Sequence, residues 1–515
     1  MHDVNWIALL IFVALFGLIT WLGFAAANWR KGDLDLLHEW GLGGRRFGTI
    51  ITWFLVGGDL YTAYTFIAVP ALAYGAGAIA FFAVPYTIVI YPILFLAFPR
   101  LWHVCHKHGY ITASDFVRGR FGNRWLALAV TITGIVATMP YIALQLVGIQ
   151  VVLGALGLSG SGFAADLPLI IAFLILAAFT YSSGLRAPAS IAIVKDILIY
   201  ITAFAAVIII PLQLGGFDKI FAAVPPQKIL LAIPGPHTTG AYSAYATLAL
   251  GSALALFLYP HSLTAILSAS SSHAIRRNAA MLPGYSLMLG LLALVGFFAI
   301  AAGVGTLPEY AEGFARFGNN FAVPALFLQS FPSWFVGIAF AAIGIGALVP
   351  AAIMSIAAAN LYTRNIHREF INKNPSSRQE AQMAKWASLV VKLGALIFII
   401  FVPTQYAIQL QLLGGIWIIQ TLPAVLLGAY TRWFNSWALL LGWIAGTIAG
   451  TVMAIAVNLT PTYPLAIAGY TFPGYTAFYT LLLNLAISGV FTPLLNLISS
   501  RDTAFDETVA ADYHA

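Results

Sequence analysis

Charged residues are scarce in this sequence, and cysteine is almost absent. Only 8% of the 515 residues are Asp, Glu, Lys or Arg, whereas soluble globular proteins carry about 25%. This scarcity of charge excludes a soluble enzyme and a disordered chain. The single cysteine, Cys105, excludes an internal disulfide scaffold.

Long apolar runs take the place of charge along the whole chain. Hydrophobic residues make up 61% of the sequence, and a helix needs about 20 apolar residues to cross the hydrocarbon core of a bilayer. We therefore predict an all-α membrane protein in which residues 1–500 form a single transmembrane domain. The thirteen predicted spans are 5–27, 48–75, 78–98, 125–157, 168–183, 187–214, 244–268, 279–304, 331–361, 383–402, 406–430, 436–457 and 474–499.

Lysine and arginine lie almost entirely in alternate loops. Of the 24 Lys and Arg residues, 19 lie in one set of loops, three lie in the other set, and Lys195 and Lys392 lie inside spans. Basic loops face the cytoplasm, so we predict an N-terminus outside and a C-terminus inside the cytoplasmic (inner) membrane. Lys392 is near enough to the basic side to snorkel to it. The short polar cytoplasmic tail, 501–515, is expected to be disordered.

Polar residues interrupt span 2 at its centre. Gly57 and Gly58 precede Asp59 and the hydroxyl-rich stretch 61–65. A charged side chain at the bilayer centre costs about 2.5–3.5 kcal/mol on insertion scales. Asp59 therefore either caps a local helix break or lines a cavity for an ion or a substrate.

Span 7 carries a second interruption, where Pro260 removes a helical hydrogen bond beside Tyr259 and His261. His261 either serves a site or is only a satisfied structural histidine. The two breaks are five spans apart, as in transporters built from inverted five-helix repeats. We predict such a 5+5 core over residues 48–430. The peripheral spans are 5–27, 436–457 and 474–499.

Span 6 contains the adjacent charged residues Lys195 and Asp196. Neighbouring residues on a helix point about 100° apart, so we expect each to have a partner from another helix and not to pair directly. Ser355 in span 9 lies at a similar depth, since Lys195 and Ser355 are each nine residues, about 13 Å, from an arginine at the basic end of their span. A purely structural lysine–acid pair between helices is the alternative.

Four segments together resemble the sodium/solute symporter family. They are GGDLYTAYTFIAVPALAYGAG, GYITASDFVRGRFG, YPHSLTAILSASSSHAIRRN and PAAIMSIAAANLYTRNI. Within the family the chain looks most similar to bacterial monocarboxylate permeases. The resemblance implies a LeuT-like fold and secondary active symport of a lactate-, pyruvate-, acetate- or propionate-type solute by alternating access, with no enzymatic activity and no cofactor.

The resemblance also implies a sodium site between spans 2 and 9. Its ligands would be the carbonyls of Gly57, Leu60 and Ala352 and the hydroxyl of Ser355, with Asp59 and Asp196 beside the ion path. This chain departs from the family pattern at Ile356, where a second hydroxyl residue is usual, and at Lys195, where an uncharged residue is usual. We hypothesise that Lys195 replaces sodium and that the coupling ion is H⁺; Na⁺ is the alternative.

The substrate is expected between the two helix breaks, where free N–H groups can bind a carboxylate. The candidate substrate-binding residues are Tyr61, Thr62, Thr65, Gln145, Tyr259, His261 and Trp417. The expected partners are a small organic anion and the lipid bilayer, with no nucleic acid, and a monomer would suffice. The main alternative is a sodium-coupled carrier of a small amino acid such as alanine or proline. A sensor, a channel and an intramembrane enzyme fit the sequence less well.

Overall fold

The computed structural model describes residues 4–29, 32–58, 61–158, 163–401, 407–498 and 505–514, except for the side chains at 163–166, 398–401 and 407–408. Helices dominate these ranges. They are α1 (Trp6–Ala25), α2 (Leu37–Leu42), α3 (Thr49–Gly58), α4 (Val69–Ala76), α5 (Ala83–His108), α6 (Ala113–Phe121), α7 (Arg124–Ala155), α8 (Phe163–Ser183), α9 (Arg186–Gln213), α10 (Phe217–Ala223), α11 (Pro226–Ile229), α12 (Gly240–Leu256), α13 (Pro260–Leu267), α14 (Ser272–Met281), α15 (Pro283–Ala301), α16 (Ala311–Phe317), α17 (Ala322–Ser330), α18 (Ser333–Tyr362), α19 (Ser377–Phe401), α20 (Ala407–Ile418), α21 (Ser436–Ala456) and α22 (Thr476–Ile498).

Many of these helices are long and apolar enough to cross a membrane. Within the described ranges nine helical segments meet that condition, or ten if the bent pair α12 and α13 counts as one span. Two shorter apolar helices, Thr49–Gly58 and Leu167–Ser183, accompany them. The protein is therefore a multi-pass helical membrane protein, and the count of thirteen spans stays a prediction.

Helix α18 lies at the centre of the bundle. In its most apolar stretch 94% of the residues are buried, and the helix packs against α1, α7, α9 and α19. Helices α1, α21 and α22 have only 22–33% of the corresponding stretch buried, so most of their apolar side chains face outward, as lipid-facing helices require. The centre of the protein is thus where α18 meets α7 and α9.

Both predicted interruptions lie between helical segments. Helix α3 ends at Gly58, and a π-helical turn, Tyr64–Ala68, leads into α4. Helices α12 and α13 meet at 48°. Pro260 occupies the first turn of α13, where its missing N–H would have no helical partner in any case. The predicted break at Pro260 is confirmed.

The fold also contains a β-hairpin, which the all-α prediction did not include. Strands β1 (Thr462–Ile467) and β2 (Tyr470–Tyr475) pair antiparallel between α21 and α22. Ala468 and Gly469 form the two-residue turn, both with positive φ, as a tight hairpin turn requires. The hairpin is fixed to α12, since the Tyr475 N–H donates to Thr247 Oγ1 at 2.8 Å.

A buried ion cluster fixes the basic end of α9. Glu39 on α2 is only 4% exposed, and its carboxylate accepts hydrogen bonds from Arg46, at 2.7 Å, and from Arg186. Arg186 also donates to the Glu39 carbonyl at 3.0 Å. Because Arg186 is the first residue of α9, the cluster positions the helix that carries Lys195.

The end of the tail is ordered, so the prediction of a disordered tail was wrong for residues 505–514. Asp506 accepts a hydrogen bond from Arg120 at 2.7 Å, and Tyr513 is 5% exposed. Asp512 accepts hydrogen bonds from Lys107 at 2.5 Å and from His108 at 2.8 Å. The short, polar composition of the tail suggested disorder. The partners that order it lie on distant helices, so the tail's own sequence does not reveal them.

Charge pairing makes this docking sensitive to one carboxylate. Burial alone would raise the pKa of the Asp512 carboxyl, but hydrogen bonds from Lys107, the Val509 N–H and His108 hold that pKa well below its usual value. The ion pair therefore stabilises the docked tail at neutral pH and is lost only as the pH falls through the lowered pKa.

We expect Asp512→Asn to loosen the tail. Hydrogen bonds to charged groups contribute about 1.5–3 kcal/mol, so amide hydrogen exchange in 507–513 should accelerate about tenfold or more at neutral pH. Asp218→Asn, on exposed α10, is the control and should leave tail exchange unchanged. Equal exchange rates in the wild type and Asp512→Asn would show that the Asp512 carboxylate does not hold the tail in place.

Candidate functional site

The ammonium of Lys195 lies against the end of α3, inside the membrane core. Lys195 has no exposed surface. Its Nζ donates to the Gly58 carbonyl at 2.6 Å and to the Tyr61 carbonyl at 3.2 Å. It lies 2.9 Å from Asp196 Oδ1. Of the three donors of this ammonium, two are used in hydrogen bonds to carbonyls, and the contact with Asp196 Oδ1 is an ion pair without hydrogen-bond geometry.

Asp196 pairs directly with Lys195, so the prediction that these neighbours cannot pair was wrong. The two Cα–Cβ bonds diverge, but the long lysine stem bends back to the neighbouring carboxylate. The other carboxylate oxygen, Oδ2, accepts a hydrogen bond from Tyr285 at 2.8 Å. Tyr285 in turn accepts a hydrogen bond on its carbonyl from the Tyr61 hydroxyl at 2.5 Å. The pair thus joins α9, α15 and the interruption after α3.

Gly57 and Gly58 provide the space for this contact. A Cβ on Gly57 would lie 2.2 Å from the Tyr285 ring, and a Cβ on Gly58 would lie 2.6 Å from Lys195 Nζ. Both distances are shorter than side chains tolerate. The glycine pair therefore does more than loosen the helix, because it admits an aromatic ring and an ammonium against the backbone.

The predicted sodium ligands that the structure describes already have hydrogen-bond partners or lie beside the Lys195 contact. The Ser355 hydroxyl donates to the Ala352 carbonyl at 2.8 Å and lies 3.2 Å from the Ser388 hydroxyl. Asp59 and Leu60 lie outside the described residues. Lys195 reaches the carbonyls of Gly58 and Tyr61, each one residue after a predicted carbonyl ligand.

Among the described residues, few oxygens are left for a sodium ion. Hard cations need several oxygen ligands, and the buried Ile356 beside Ser355 supplies none. The carbonyls of Gly58 and Tyr61 already accept hydrogen bonds from a group with a positive charge. A second cation next to Lys195 would meet charge repulsion in a medium of low dielectric constant.

Lys392 is buried, so the prediction that it snorkels was wrong. Lys392 is only 2% exposed, and its Nζ donates a hydrogen bond to the Ser388 hydroxyl at 2.7 Å. Ser388 connects it to Ser355. Depth along the helix suggested snorkelling, but α19 presents this face to the bundle and not to the interface.

Gln145, Tyr259 and His261 lie around the two breaks. Gln145 Oε1 accepts a hydrogen bond from the Ala63 N–H at 3.1 Å, beside the interruption of span 2. The His261 ring lies 5.3 Å from the Tyr259 ring and 5.2 Å from the Tyr141 ring, between centroids. The structure therefore brings both breaks to one region, with α7 between them.

The other predicted substrate residues are buried in the interruption or use their polar atoms in contacts with neighbouring helices. Thr62 and Thr65 are fully buried within the interruption, and Thr62 Oγ1 accepts from the Tyr64 N–H at 3.0 Å. The Tyr61 side chain faces Tyr285. Trp417 donates its indole N–H to Thr451 on α21 at 3.1 Å, so its polar atom serves a helix contact.

Sequence reasoning missed several tyrosines that complete this region. Tyr285 holds Asp196, Tyr141 contacts His261, and Tyr475 donates to the Leu412 carbonyl at 2.6 Å. The tyrosines of α15 and β2 gave no local signal because nothing in their own segments predicts which distant helix they meet. Gly415 offered only a weak signal: a Cβ added there would lie 2.1 Å from the Tyr475 hydroxyl.

Comparison with known proteins shows the family of this chain. The profile of the sodium:solute symporter family matches residues 40–446. The chain belongs to this family. A monocarboxylate transport permease protein of Rhizobium johnstonii is 53% identical to this symporter, over 96% of this chain and 98% of the relative. The uncharacterized symporter YodF of Bacillus subtilis is 33% identical, over 95% of this chain and 94% of that relative.

A solved structure supports the fold of this symporter. The substrate-bound, outward-open structure of a Na⁺-coupled sialic acid symporter matches with a TM-score of 0.75, over 95% of this chain and 97% of that chain. Its sequence identity of 16% shows the shared fold alone. The family resemblance seen in the sequence is thus confirmed, and the family indicates a transporter and not an enzyme.

We expect Gly58→Ala to impair this symporter selectively. The new Cβ would displace the Lys195 ammonium, and losing a charged hydrogen bond costs about 1.5–3 kcal/mol, so solute uptake should fall about tenfold or more. Gly48→Ala is the matched control, because a Cβ there meets nothing within 4 Å. Equal uptake by both variants, at equal protein amounts in proteoliposomes, would show that the contact is unimportant.

Proposed function

We propose that this protein is a proton-coupled symporter that imports a small monocarboxylate, of the lactate, pyruvate, acetate or propionate type, across the cytoplasmic membrane by alternating access. The observation that carries the proposal is the Lys195 ammonium, bonded to the backbone carbonyls at the interruption of span 2. In our account the bound proton of Lys195 takes the role that a sodium ion has elsewhere in the family.

The protonation state of Lys195 controls how many of these contacts can form. The charged ammonium has three donors and no acceptor, which matches two carbonyls and a carboxylate. A neutral amine has only two N–H donors and turns a lone pair towards one of these oxygens. Loss of the proton therefore weakens the contact between α9 and the end of α3 and leaves Asp196 as an unpaired buried charge, which is unfavourable.

Alternating access supplies the link between this contact and transport. With Lys195 protonated, α9 is held to the interruption and the adjoining substrate region is complete. The joined state, loaded with both proton and solute, opens to the cytoplasmic side. There the lysine releases its proton to water, the two segments separate and the solute leaves. A ligand shifts such an equilibrium only by binding one state better than the other, and here both the proton and the solute favour the joined state.

The substrate class follows from the relative and from the few charges near the breaks. The 53% identical relative is a monocarboxylate transport permease. A single carboxylate suits the half-helix N–H groups beside Tyr259 and His261. Gln145, Thr62 and Thr65 add hydrogen-bonding groups. We propose that the solute binds here, with Trp417 and Tyr61 contributing through the helix contacts they make.

Sodium coupling is the competing proposal for the same fold. It would need oxygens from Gly57, Leu60, Ala352 and Ser355, with the Lys195 ammonium displaced. Asp59 and Asp196 would then balance the ion. We favour H⁺ because Lys195 already supplies a positive charge at the interruption. The coupling proposal applies to a monomer with its C-terminus in the cytoplasm.

The deciding experiment drives uptake by one gradient at a time. Purified protein in proteoliposomes is given labelled pyruvate or lactate with an inward proton gradient in sodium-free buffer, or with a sodium gradient at equal pH. We expect accumulation with the proton gradient alone. Lys195→Met should abolish accumulation, because methionine fills similar volume but carries no proton.

Lys385→Met is the matched control, since it also removes a buried lysine, but one whose ammonium lies near Asp35 and the Tyr181 ring and not at the interruption. It should retain proton-driven accumulation. Uptake that requires sodium in the wild type would overturn the coupling proposal. Failure to transport either acid, with sodium- or proton-driven alanine or proline uptake instead, would overturn the substrate proposal.

A further inference from the structure

An open cavity of about 430 Å³ lies on the basic side of the protein, away from Lys195. The ends of α6, α7 and α18 surround it, and Glu507 of the tail forms part of its wall. Five cationic side chains converge on this space. They are Arg118, Arg124, Arg364, Arg368 and Lys373. Three carboxylates, those of Asp115, Glu369 and Glu507, line the same space, so cations outnumber acids there by two.

Only some of these cations have a neighbouring carboxylate. Arg364 lies 3.4 Å from Asp115 and 3.2 Å from Glu380, Arg368 lies 3.6 Å from Glu380, and Arg118 lies 3.4 Å from Glu369. Within the part of the chain that the structure describes, Arg124 and Lys373 have no acidic partner within 4 Å. The positive-inside distribution explains basic loops in general, but it does not explain unpaired cations that line one cavity.

An apolar surface adjoins the same cavity. Trp125, next to Arg124, is 45% exposed, and Phe370 and Ile371, close to Arg368 and Lys373 in sequence, are 38% and 64% exposed. The Trp125 and Phe370 rings lie 6.0 Å apart between centroids. Tryptophan is typical of the membrane–water interface, and Trp125 is the second residue of α7. The cavity thus has charge inside and exposed apolar groups at its edge.

We propose that this cavity binds the phosphate headgroup of an anionic phospholipid, with the acyl chains lying along Trp125, Phe370 and Ile371. Arg124 and Lys373 supply the uncompensated positive charge, and Arg368 contributes a second guanidinium. Arginine donors match phosphate geometry. Basic pockets at the cytoplasmic membrane surface attract such headgroups electrostatically.

The shape of the site favours a lipid over a soluble anion. A soluble phosphate would need only the cations, whereas a phospholipid also uses the exposed aromatic and aliphatic edge. The cavity is larger than a small monocarboxylate requires. None of the residues that line it belongs to either helix break, so the inference does not depend on the proposed function.

The test measures the melting temperature of the purified full-length protein in detergent with added lipid. Phosphatidylglycerol should raise the melting temperature, and phosphatidylcholine with the same acyl chains should not. Arg124→Gln/Lys373→Gln should need about tenfold or more phosphatidylglycerol for the same rise. Arg276→Gln/Arg277→Gln removes an exposed basic pair on α14 and should respond like the wild type.

Two further arms keep the inference open to refutation. Arg124→Lys preserves the charge and should respond to phosphatidylglycerol, so it serves if the glutamine variant fails to fold. Inorganic phosphate at equal concentration should have little effect. The inference is overturned if phosphate alone reproduces the rise, if both lipids act equally, or if the cavity variant and the α14 variant respond alike.

Discussion

The contact between the buried Lys195 ammonium and the interruption of span 2 is the constraint on which the rest of this site depends. A positive charge in the membrane core is tolerated only because two carbonyls and the Asp196 carboxylate surround it. The Gly58 carbonyl is available because α3 ends at that residue, and the Tyr61 carbonyl because Tyr61 lies outside the helices. The helix break and the buried lysine therefore need each other, and Gly58 provides the space between them.

The neighbouring structure is arranged to hold this contact. Arg186 and Glu39 fix the start of α9, so the helix enters the bundle at a defined height. Tyr285 on α15 donates a hydrogen bond to the Asp196 carboxylate, and its carbonyl accepts one from the Tyr61 hydroxyl. The interruption is thereby bonded to the same helix. A change in the charge of one ammonium thus reaches three helices. Such a linked set of contacts is what coupling between an ion and a moving helix requires.

Local sequence predicted much of the fold and part of the site. The helix break at Pro260 and the buried position of Lys195 follow from chemistry that is local to each segment. The pairing of Lys195 with Asp196 did not follow, because helical spacing gives backbone directions and not the reach of a four-carbon stem. The docked tail and the burial of Lys392 depend on distant helices, and the role of Tyr285 depends on which face of α15 meets α9. These features come from tertiary packing, which a single sequence does not display.

The central claim is that solute and proton bind together, and linkage makes it measurable without transport. Pyruvate is added to purified protein in weakly buffered, sodium-free solution at mildly alkaline pH, and a pH indicator records proton uptake. The account predicts that the wild type takes up protons as pyruvate binds and that Lys195→Met takes up none. Pyruvate binding that needs sodium and takes up no protons would contradict it.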